Sequence, residues 1–384
     1  MRSFRNIRAA VVGTGFIGLV HVEALRRLGI EVTGIVGSSP ERAAAKAGAH
    51  NLPEPYESFE AMLGDERVDV VHLATPNHLH YDEVRATLAA GKHVVCEKPL
   101  AMTSAQTVEL LALAEASGLI HAVNFNQRFY PQNLNTREVV GQGDLGDVRL
   151  ITGGYMQDWL LYDTDWSWRL EREQGGDLRV VGDIGSHWLD LVSYMTGLRV
   201  DAVMADLTTF MPIRKQPVGH VETFATEGGG ETRDRAIETE DAVGLLVRFE
   251  GGARGVVTLS QVSAGRKNHL HWEINGTRAS AAWRAERPEE LWIGHRERAN
   301  EASLRDPGKL QPFAASHTTM PAGHSEGYGE TFRELYRAVY SAVAAGEPPA
   351  EPDYPTFAAG HEQALIGDAI ARSHAEGRWV AVQR

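Results

Sequence analysis

The stretch VVGTGFIG (residues 11–18) constrains the fold of this chain more than any other. Gly13, Gly15 and Gly18 form a G-x-G-x-x-G pattern between an apolar run, RAAVVG, and a helical run, FIGLVHVEALRRLG. Such a pattern is weak alone and informative when a strand leads in and a helix leads out. The first glycine then permits a tight turn, the second admits a pyrophosphate to the backbone, and the third packs the helix on the sheet. The helix N-terminus, with Phe16 and Ile17 in its first turn, presents N–H groups and a positive dipole end to phosphate. A dinucleotide-binding turn is the reading; a glycine turn without a ligand is its alternative.

The rest of the first 125 residues supports it. Short apolar runs (EVTGIVG, VDVVHLAT, HVVCEK, IHAVNF) alternate with helical patterns (PERAAAKAG, HYDEVRATLAAG, SAQTVELLALAEASG). That rhythm implies right-handed β-α-β crossovers and a parallel sheet. After residue 126 the rhythm changes. VRLITGGY reads as a strand, then glycine-rich turns and a helix in GDIGSHWLDLVSYMTG. Longer strand candidates follow at 200–207, 242–249, 253–261, 269–275, 279–283 and 291–295, with hairpin turns in RFEGGARG and NGTRA. The expectation is an α/β chain: a dinucleotide-binding domain over 1–125 and a second α/β domain with an open, mainly antiparallel sheet over 126–384. The polar stretch 226–241 reads as a mobile loop or flap, and 296–317 as irregular. Two tail helices, 328–345 and 356–376, precede a short strand in WVAV.

Composition narrows the partners. Of 384 residues, 38 are Lys or Arg and 51 are Asp or Glu, for a net charge of −13. This argues against non-specific nucleic-acid binding and against an anionic membrane surface. The one cysteine, Cys96, allows no intramolecular disulfide. The basic, then apolar N-terminus faintly resembles a signal peptide, but the glycines at 13, 15 and 18 interrupt it. A cytoplasmic protein is expected.

The end of the second strand bears on the choice of cofactor. NAD binders usually carry a carboxylate there for the ribose hydroxyls. Here Gly37, Ser38 and Ser39 occupy the position and Arg42 lies one turn on, which leans toward NADP over NAD. Alternatively, Ser39 simply caps the helix that Pro40 begins. ATPNHLH follows the third strand at the sheet edge where ligands bind, and places Thr75, Asn77 and His80 for cofactor contact. CEKPLA follows the fourth. Lys98, before Pro99, is suited to bond a substrate hydroxyl and stabilise developing alkoxide charge. A solvated surface lysine is the bland alternative.

In GDIGSHWLDL, helical spacing sets Asp183, His187 and Asp190 on one face. His187 suits proton transfer near neutral pH, and Asp183 can orient it, hold a second hydroxyl, or cap the helix. One histidine with two carboxylates is a poor metal set, so no metal is expected. Trp159, Trp166, Trp168 and Tyr162 suit either a sugar ring or core packing, and Arg128 and Tyr155 are further candidates for substrate contact.

Together GTGFIG, TPNHLH, EKP at 97–99, WSWRLE at 166–171 and GDIGSHWLDL resemble the Gfo/Idh/MocA family, the glucose–fructose oxidoreductase and inositol dehydrogenase group. The resemblance implies a Rossmann domain followed by an α/β domain whose open sheet forms a homodimer or homotetramer. It implies that Glu97 and Lys98 meet the nicotinamide ribose, that Lys98 also reaches substrate, and that Arg169 lies near the nicotinamide. Asp183 and His187 would be the substrate-binding and acid/base pair. The missing ribose-binding acid and the longer interval from Gly175–Gly176 to Asp183 depart from the family pattern. The function implied is an NAD(P)-dependent dehydrogenase or reductase of a sugar, glycoside or cyclic polyol. Two alternatives remain: a redox-neutral glycoside-processing enzyme with tightly held cofactor, and a non-catalytic dinucleotide sensor.

Overall fold

The computed structural model describes residues 3–53, 55–219 and 230–384. They form two compact units: Met1–Asn126 with Gly329–Ala364, and Gln127–Tyr328 with Leu365–Arg384.

In the first unit, β1 (Arg8–Val12), β2 (Glu31–Val36), β3 (Val70–Leu73), β4 (His93–Cys96) and β5 (His121–Val123) make one parallel sheet in the order β2-β1-β3-β4-β5. The helices between them are α1 (Phe16–Arg27), α2 (Pro40–Ala49), α3 (Phe59–Leu63), α4 (Asn77–Ala89) and α5 (Ser104–Ser117). A parallel sheet covered on both faces needs nearly continuous apolar strands, which is why Ala9–Val12 and Val70–Leu73 are buried throughout. Hydroxyl caps start several helices: Ser39 for α2, Ser58 for α3 and Thr103 for α5.

The second unit opens with α6 (Pro131–Gly141) and β6 (Val148–Met156), then α7 (Arg172–Gly175). A π-helical turn, Val181–Gly185, runs into α8 (Ser186–Thr196). The strands β7 (Val200–Thr208), β8 (Ile213–Pro217), β9 (Thr232–Ala236), β10 (Ala242–Phe249), β11 (Arg254–Ser260), β12 (His269–Gly276), β13 (Ser280–Arg284), β14 (Glu290–Gly294) and β15 (Glu301–Leu304) follow, then α9 (Pro312–Ser316). A nine-stranded sheet runs β15-β14-β13-β12-β6-β11-β10-β7-β16, where β16 is Val380–Ala381. Its one parallel pairing is β6 with β11. Alternation decides its faces: Val243, Leu245 and Val247 point to the core, while Leu246 and Arg248 point away. Trp188, Leu189, Leu191 and Val192 of α8 join Val257, Leu259 and Trp272 in that core.

The tail helices are α10 (Tyr328–Ala345) and α11 (Phe357–Glu376). Here the expected boundary needs correction. Residues 126–384 are not one unit, because Gly329–Ala364 belong to the first. The apolar face of α10 was legible, but an amphipathic pattern does not say which body it covers. Two other expectations change. Within 226–241, Thr232–Ala236 form β9, paired with β8, and residues 226–229 lie outside the described set. Every residue of β9 is exposed, so no apolar alternation marked it. The stretch 296–317 holds β15 and α9.

Candidate active site

The glycine turn has a strict steric basis. Gly13 has φ +104°, and a Cβ there would lie 2.4 Å from the Ala74 carbonyl oxygen. A Cβ on Gly18 would lie 1.9 Å from the Gly13 oxygen. Gly15 differs, because a Cβ there meets no protein atom within 4 Å. The turn therefore needs glycine at 13 and 18 for its own closure, and leaves the approach to Gly15 open. No side chain caps α1, and Phe16 in its first turn is exposed. These features fit a pyrophosphate against the turn and the helix N-terminus.

At the end of β2, Ser39 Oγ accepts the Arg42 N–H at 3.3 Å, the N-cap bond of α2. Arg42 Nη1 donates to Ser38 Oγ at 3.3 Å. Gly37, Ser38 and Ser39 bring no carboxylate to the strand end, but Glu41 in the first turn of α2 does: its backbone N–H and the Ser39 hydroxyl hold its carboxyl below the ordinary value.

The loops after β3 and β4 are held from beneath. Thr75 Oγ1 donates to Glu83 Oε2 at 2.5 Å, so its hydroxyl proton is committed inside the protein. Burial pushes Glu83 up to about 7, against the pull of that hydroxyl. His80 is not at the surface expected of a cofactor contact. It is fully buried, with Nδ1 2.7 Å from the Pro99 oxygen and Nε2 2.9 Å from the Thr75 oxygen. Asn77 is half-buried at the start of α4.

Glu97 also points inward. Its Oε1 accepts from Asn124 Nδ2 and lies 3.1 Å from His21 Nε2, and its Oε2 accepts the Lys98 N–H at 3.2 Å. His21 Nδ1 lies 3.1 Å from His72 Nδ1, and His72 Nε2 lies 3.0 Å from the Tyr340 hydroxyl. The chain is satisfied in either state of His21: protonated, it donates to both His72 and the Glu97 carboxylate while His72 donates to Tyr340; neutral, Tyr340 donates to His72, His72 to His21, and His21 to Glu97. Burial pushes the Glu97 carboxyl up, but the His21 hydrogen bond and charge, the Lys98 charge and Asn124 outweigh it and hold it at about 2. Lys98 itself is half-buried, and its peptide to Pro99 is cis.

In the second unit, Asp183 sits in the π turn and His187 in the first turn of α8. Single π turns recur at functional sites. Asp183 does not cap the helix: Oδ1 accepts from Arg169 Nε at 3.2 Å and Oδ2 from Gln261 Nε2 at 2.7 Å. The Arg169 guanidinium lies 4.4 Å over the Trp168 ring. His187 is 8 % exposed, its ring 6.5 Å from that of Tyr155. The backbone entering the π turn is braced by charge. Glu240 accepts the N–H groups of Arg179 (3.0 Å) and Val181 (2.9 Å), and buried Asp241 pairs with both Arg179 and Arg214.

Asp190 braces the helix, and two expected substrate contacts turn inward. Asp190 binds Arg128, whose Nε donates to Oδ2 at 2.7 Å and Nη2 to Oδ1. The Arg128 guanidinium also lies 4.5 Å from the Tyr194 ring centre. Arg128 is thus spent on the helix. Tyr155 is buried and donates to Asn268 Oδ1 at 2.5 Å, and burial raises its pKa. Trp159 and Trp166 pack beside Leu160, Leu170 and Ile237, which favours the packing reading for these two rings. Gln261 and Asn268 were missed. Each is a neutral amide just outside a strand, with nothing local to distinguish it. Among the described residues no cluster of His, Cys, Asp or Glu is arranged for a metal ion, and no helix is long and apolar enough to cross a membrane.

Comparison with known proteins fits this geometry. Residues 7–125 match the oxidoreductase family with NAD-binding Rossmann fold, and residues 134–282 match the GFO/IDH/MocA C-terminal domain. The chain is 31 % identical to levoglucosan dehydrogenase of Pseudarthrobacter phenanthrenivorans, over 98 % of each chain. The chain belongs to the GFO/IDH/MocA oxidoreductase family. Levoglucosan dehydrogenase in complex with NADH and levoglucosan superposes with a TM-score of 0.88 at 29 % identity, covering 99 % of this chain and 100 % of the other. An inositol dehydrogenase homologue from Azotobacter vinelandii, with NADH and myo-inositol, gives 0.83 at 26 % identity, covering 98 % and 97 %. The protein is therefore a nicotinamide-dependent oxidoreductase of this family, built from a parallel Rossmann sheet and a mostly antiparallel nine-stranded sheet.

Proposed function

We propose that the protein moves a hydride between nicotinamide and a secondary hydroxyl or ketone of a sugar, glycoside or cyclic polyol. The observation that carries this reading is Asp183 on a π turn with His187 one turn on, at the start of α8, in a family whose relatives were solved with levoglucosan and myo-inositol. When bound, the dinucleotide accepts the hydride at nicotinamide C4. As the hydride leaves the carbinol carbon, the hydroxyl proton goes to His187 and the C–O bond becomes a carbonyl. Asp183, fixed by Arg169 and Gln261, holds a neighbouring hydroxyl. Lys98 donates to the reacting oxygen and stabilises its alkoxide character.

NAD is the proposed cofactor. Both relatives described above hold NADH, and the Ser39 hydroxyl is occupied as a helix cap. Arg42 with Ser38 is the feature that speaks for NADP, so kcat/KM for the two cofactors separates them. A clear NADP preference overturns this choice.

The outward face of the nine-stranded sheet fits a second copy of the chain in a homodimer or homotetramer. Exposed Met204, Leu246 and Val256 lie side by side in register across β7, β10 and β11. His187→Ala is the main test of the chemistry. We expect kcat to fall on the order of a hundredfold or more, with NADH affinity within about twofold by fluorescence titration. Near-normal turnover removes the assignment.

A further inference from the structure

The two loops that follow β3 and β4 leave neighbouring strands, with Leu73 opposite Cys96 in register. One side chain joins them. His80, in the first turn of α4, lies between the Thr75 carbonyl of the first loop and the Pro99 carbonyl of the second. Its side chain has no exposure to solvent, so water does not compete for either contact.

Carbonyl oxygens only accept, so each contact needs an N–H from the ring. A neutral imidazole carries one. Burial and the Lys98 charge work against a second proton, while the two carbonyls and Glu97 work for it, and burial dominates. With Nδ1 protonated, the ring donates to the Pro99 carbonyl. The shorter contact, 2.7 Å, is from Nδ1 to Pro99.

Lys98 is then flanked on both sides. Its own N–H is held by the Glu97 carboxylate at 3.2 Å, and the carbonyl of the following residue, Pro99, is held by His80. A half-buried lysine has a long, flexible stem, and its aim depends on where its backbone is fixed. We propose that His80 is a positioning residue that acts through Lys98, setting the reach of its ammonium group by fixing the Pro99 carbonyl with Nδ1–H. This rests on the reading of Lys98 as the group that bonds the reacting oxygen. It replaces the expected cofactor contact of His80, which has no surface to offer one.

Two amides probe the two ring nitrogens separately. The Asn amide nitrogen falls near Nδ1 of a histidine, and the Gln amide nitrogen near Nε2. His80→Asn keeps the donor to Pro99, whereas His80→Gln keeps only the one to Thr75. We measure kcat/KM for the sugar or polyol substrate in His80→Gln, Lys98→Met and the double variant, with NADH affinity and thermal midpoint of each. A misplaced catalytic group costs on the order of tenfold to a hundredfold.

The expected result is a loss of about tenfold or more in His80→Gln, with NADH affinity within about twofold, and a further loss under about twofold when Lys98 is already Met. His80→Asn stays within about threefold of the natural protein. Equal losses from His80→Gln in both backgrounds overturn the proposal while leaving the role of Lys98 intact. A weakened NADH affinity as the main effect overturns it in favour of cofactor contact. A Lys98→Met variant with normal turnover overturns the reading of Lys98 and this proposal with it. If His80→Gln does not accumulate, His80→Asn decides alone, because a tenfold loss in a variant that keeps the Nδ1 donor contradicts the proposed contact.

Discussion

The strand-end loops of the first unit and the helix start of the second hold their polar residues by opposite means. In the first unit the partners are mostly carbonyls, hydroxyls and imidazoles. His80 lies between two backbone oxygens, and Glu97 ends a chain of Tyr340, His72 and His21. In the second unit carboxylates are held by guanidinium groups: Asp183 by Arg169, Asp190 by Arg128, and Asp241 by Arg179 and Arg214. Neutral contacts are individually modest and depend on shape. Buried ion pairs add little net stability when whole, yet are costly to break, because the surviving partner is left charged in a poor solvent. The second unit should therefore react far more violently to single polar substitutions.

The largest effect expected tests that asymmetry directly. Asp190→Ala strands the Arg128 guanidinium, whose side chain is 13 % exposed. Stability should fall by about 3–5 kcal/mol, read as a lower denaturant midpoint. Replacing both partners together, Arg128→Met with Asp190→Leu, should recover most of that loss. A cost under about 1 kcal/mol for Asp190→Ala, the size of an ordinary surface pair, breaks the comparison.

Glu97 is the exception inside the first unit, a buried anion among mostly neutral partners. Its folded pKa of about 2 lies below the ordinary 4.5. A depressed folded pKa adds stability that is fully present above the unfolded value and lost as pH falls through the folded one. The window is thus pH 5 down to 2, and the contribution is about 3 kcal/mol at 1.36 kcal/mol per pH unit. Glu97→Gln should remove that much of the acid dependence when unfolding curves are compared across the window. An unchanged acid limb shows that the histidine chain does not hold the carboxylate as an anion.

Legibility in the sequence followed the same divide. Apolar alternation and glycine placement are local, and β1 to β5, the six longer strand candidates and the two tail helices lie within a residue or two of where they were read. The glycine turn was legible because its constraint is steric. Partner choice was not. Asp183, His187 and Asp190 share a helical spacing, but Arg128, sixty-two residues from Asp190, removes the third from the group. The motifs aim His80 and Glu97 at a ligand, and the structure turns both inward. Periodicity reports a face and not what lies opposite it, which is also why α10 was assigned to the wrong unit.

The glycine turn separates folding from binding within the first unit. Gly15→Ala adds a Cβ that meets no protein atom within 4 Å, so the thermal midpoint should stay put. The methyl group instead occupies the approach of the pyrophosphate, and NADH affinity should fall by about tenfold or more. Gly18→Ala sets its Cβ 1.9 Å from the Gly13 oxygen and should destabilise the unit even without cofactor. If Gly15→Ala binds NADH normally, the turn does not carry the pyrophosphate.

The smallest effect expected comes from the most ordinary neutral contact. Ser39→Ala removes the hydroxyl that accepts the Arg42 N–H at the start of α2. Losing a cap of this kind costs about 1 kcal/mol. In a unit of this size that lowers the thermal midpoint by about 2–4 °C. If Ser39 is a cap and nothing more, the ratio of kcat/KM for NAD over NADP should not move with it. Arg42→Ala leaves the Ser39 hydroxyl in place and removes only the guanidinium, so any cofactor discrimination at this corner should appear there instead. A ratio that follows Ser39 and ignores Arg42 assigns the hydroxyl to the ribose, and adds a ligand contact to a residue whose visible bond is to its own helix.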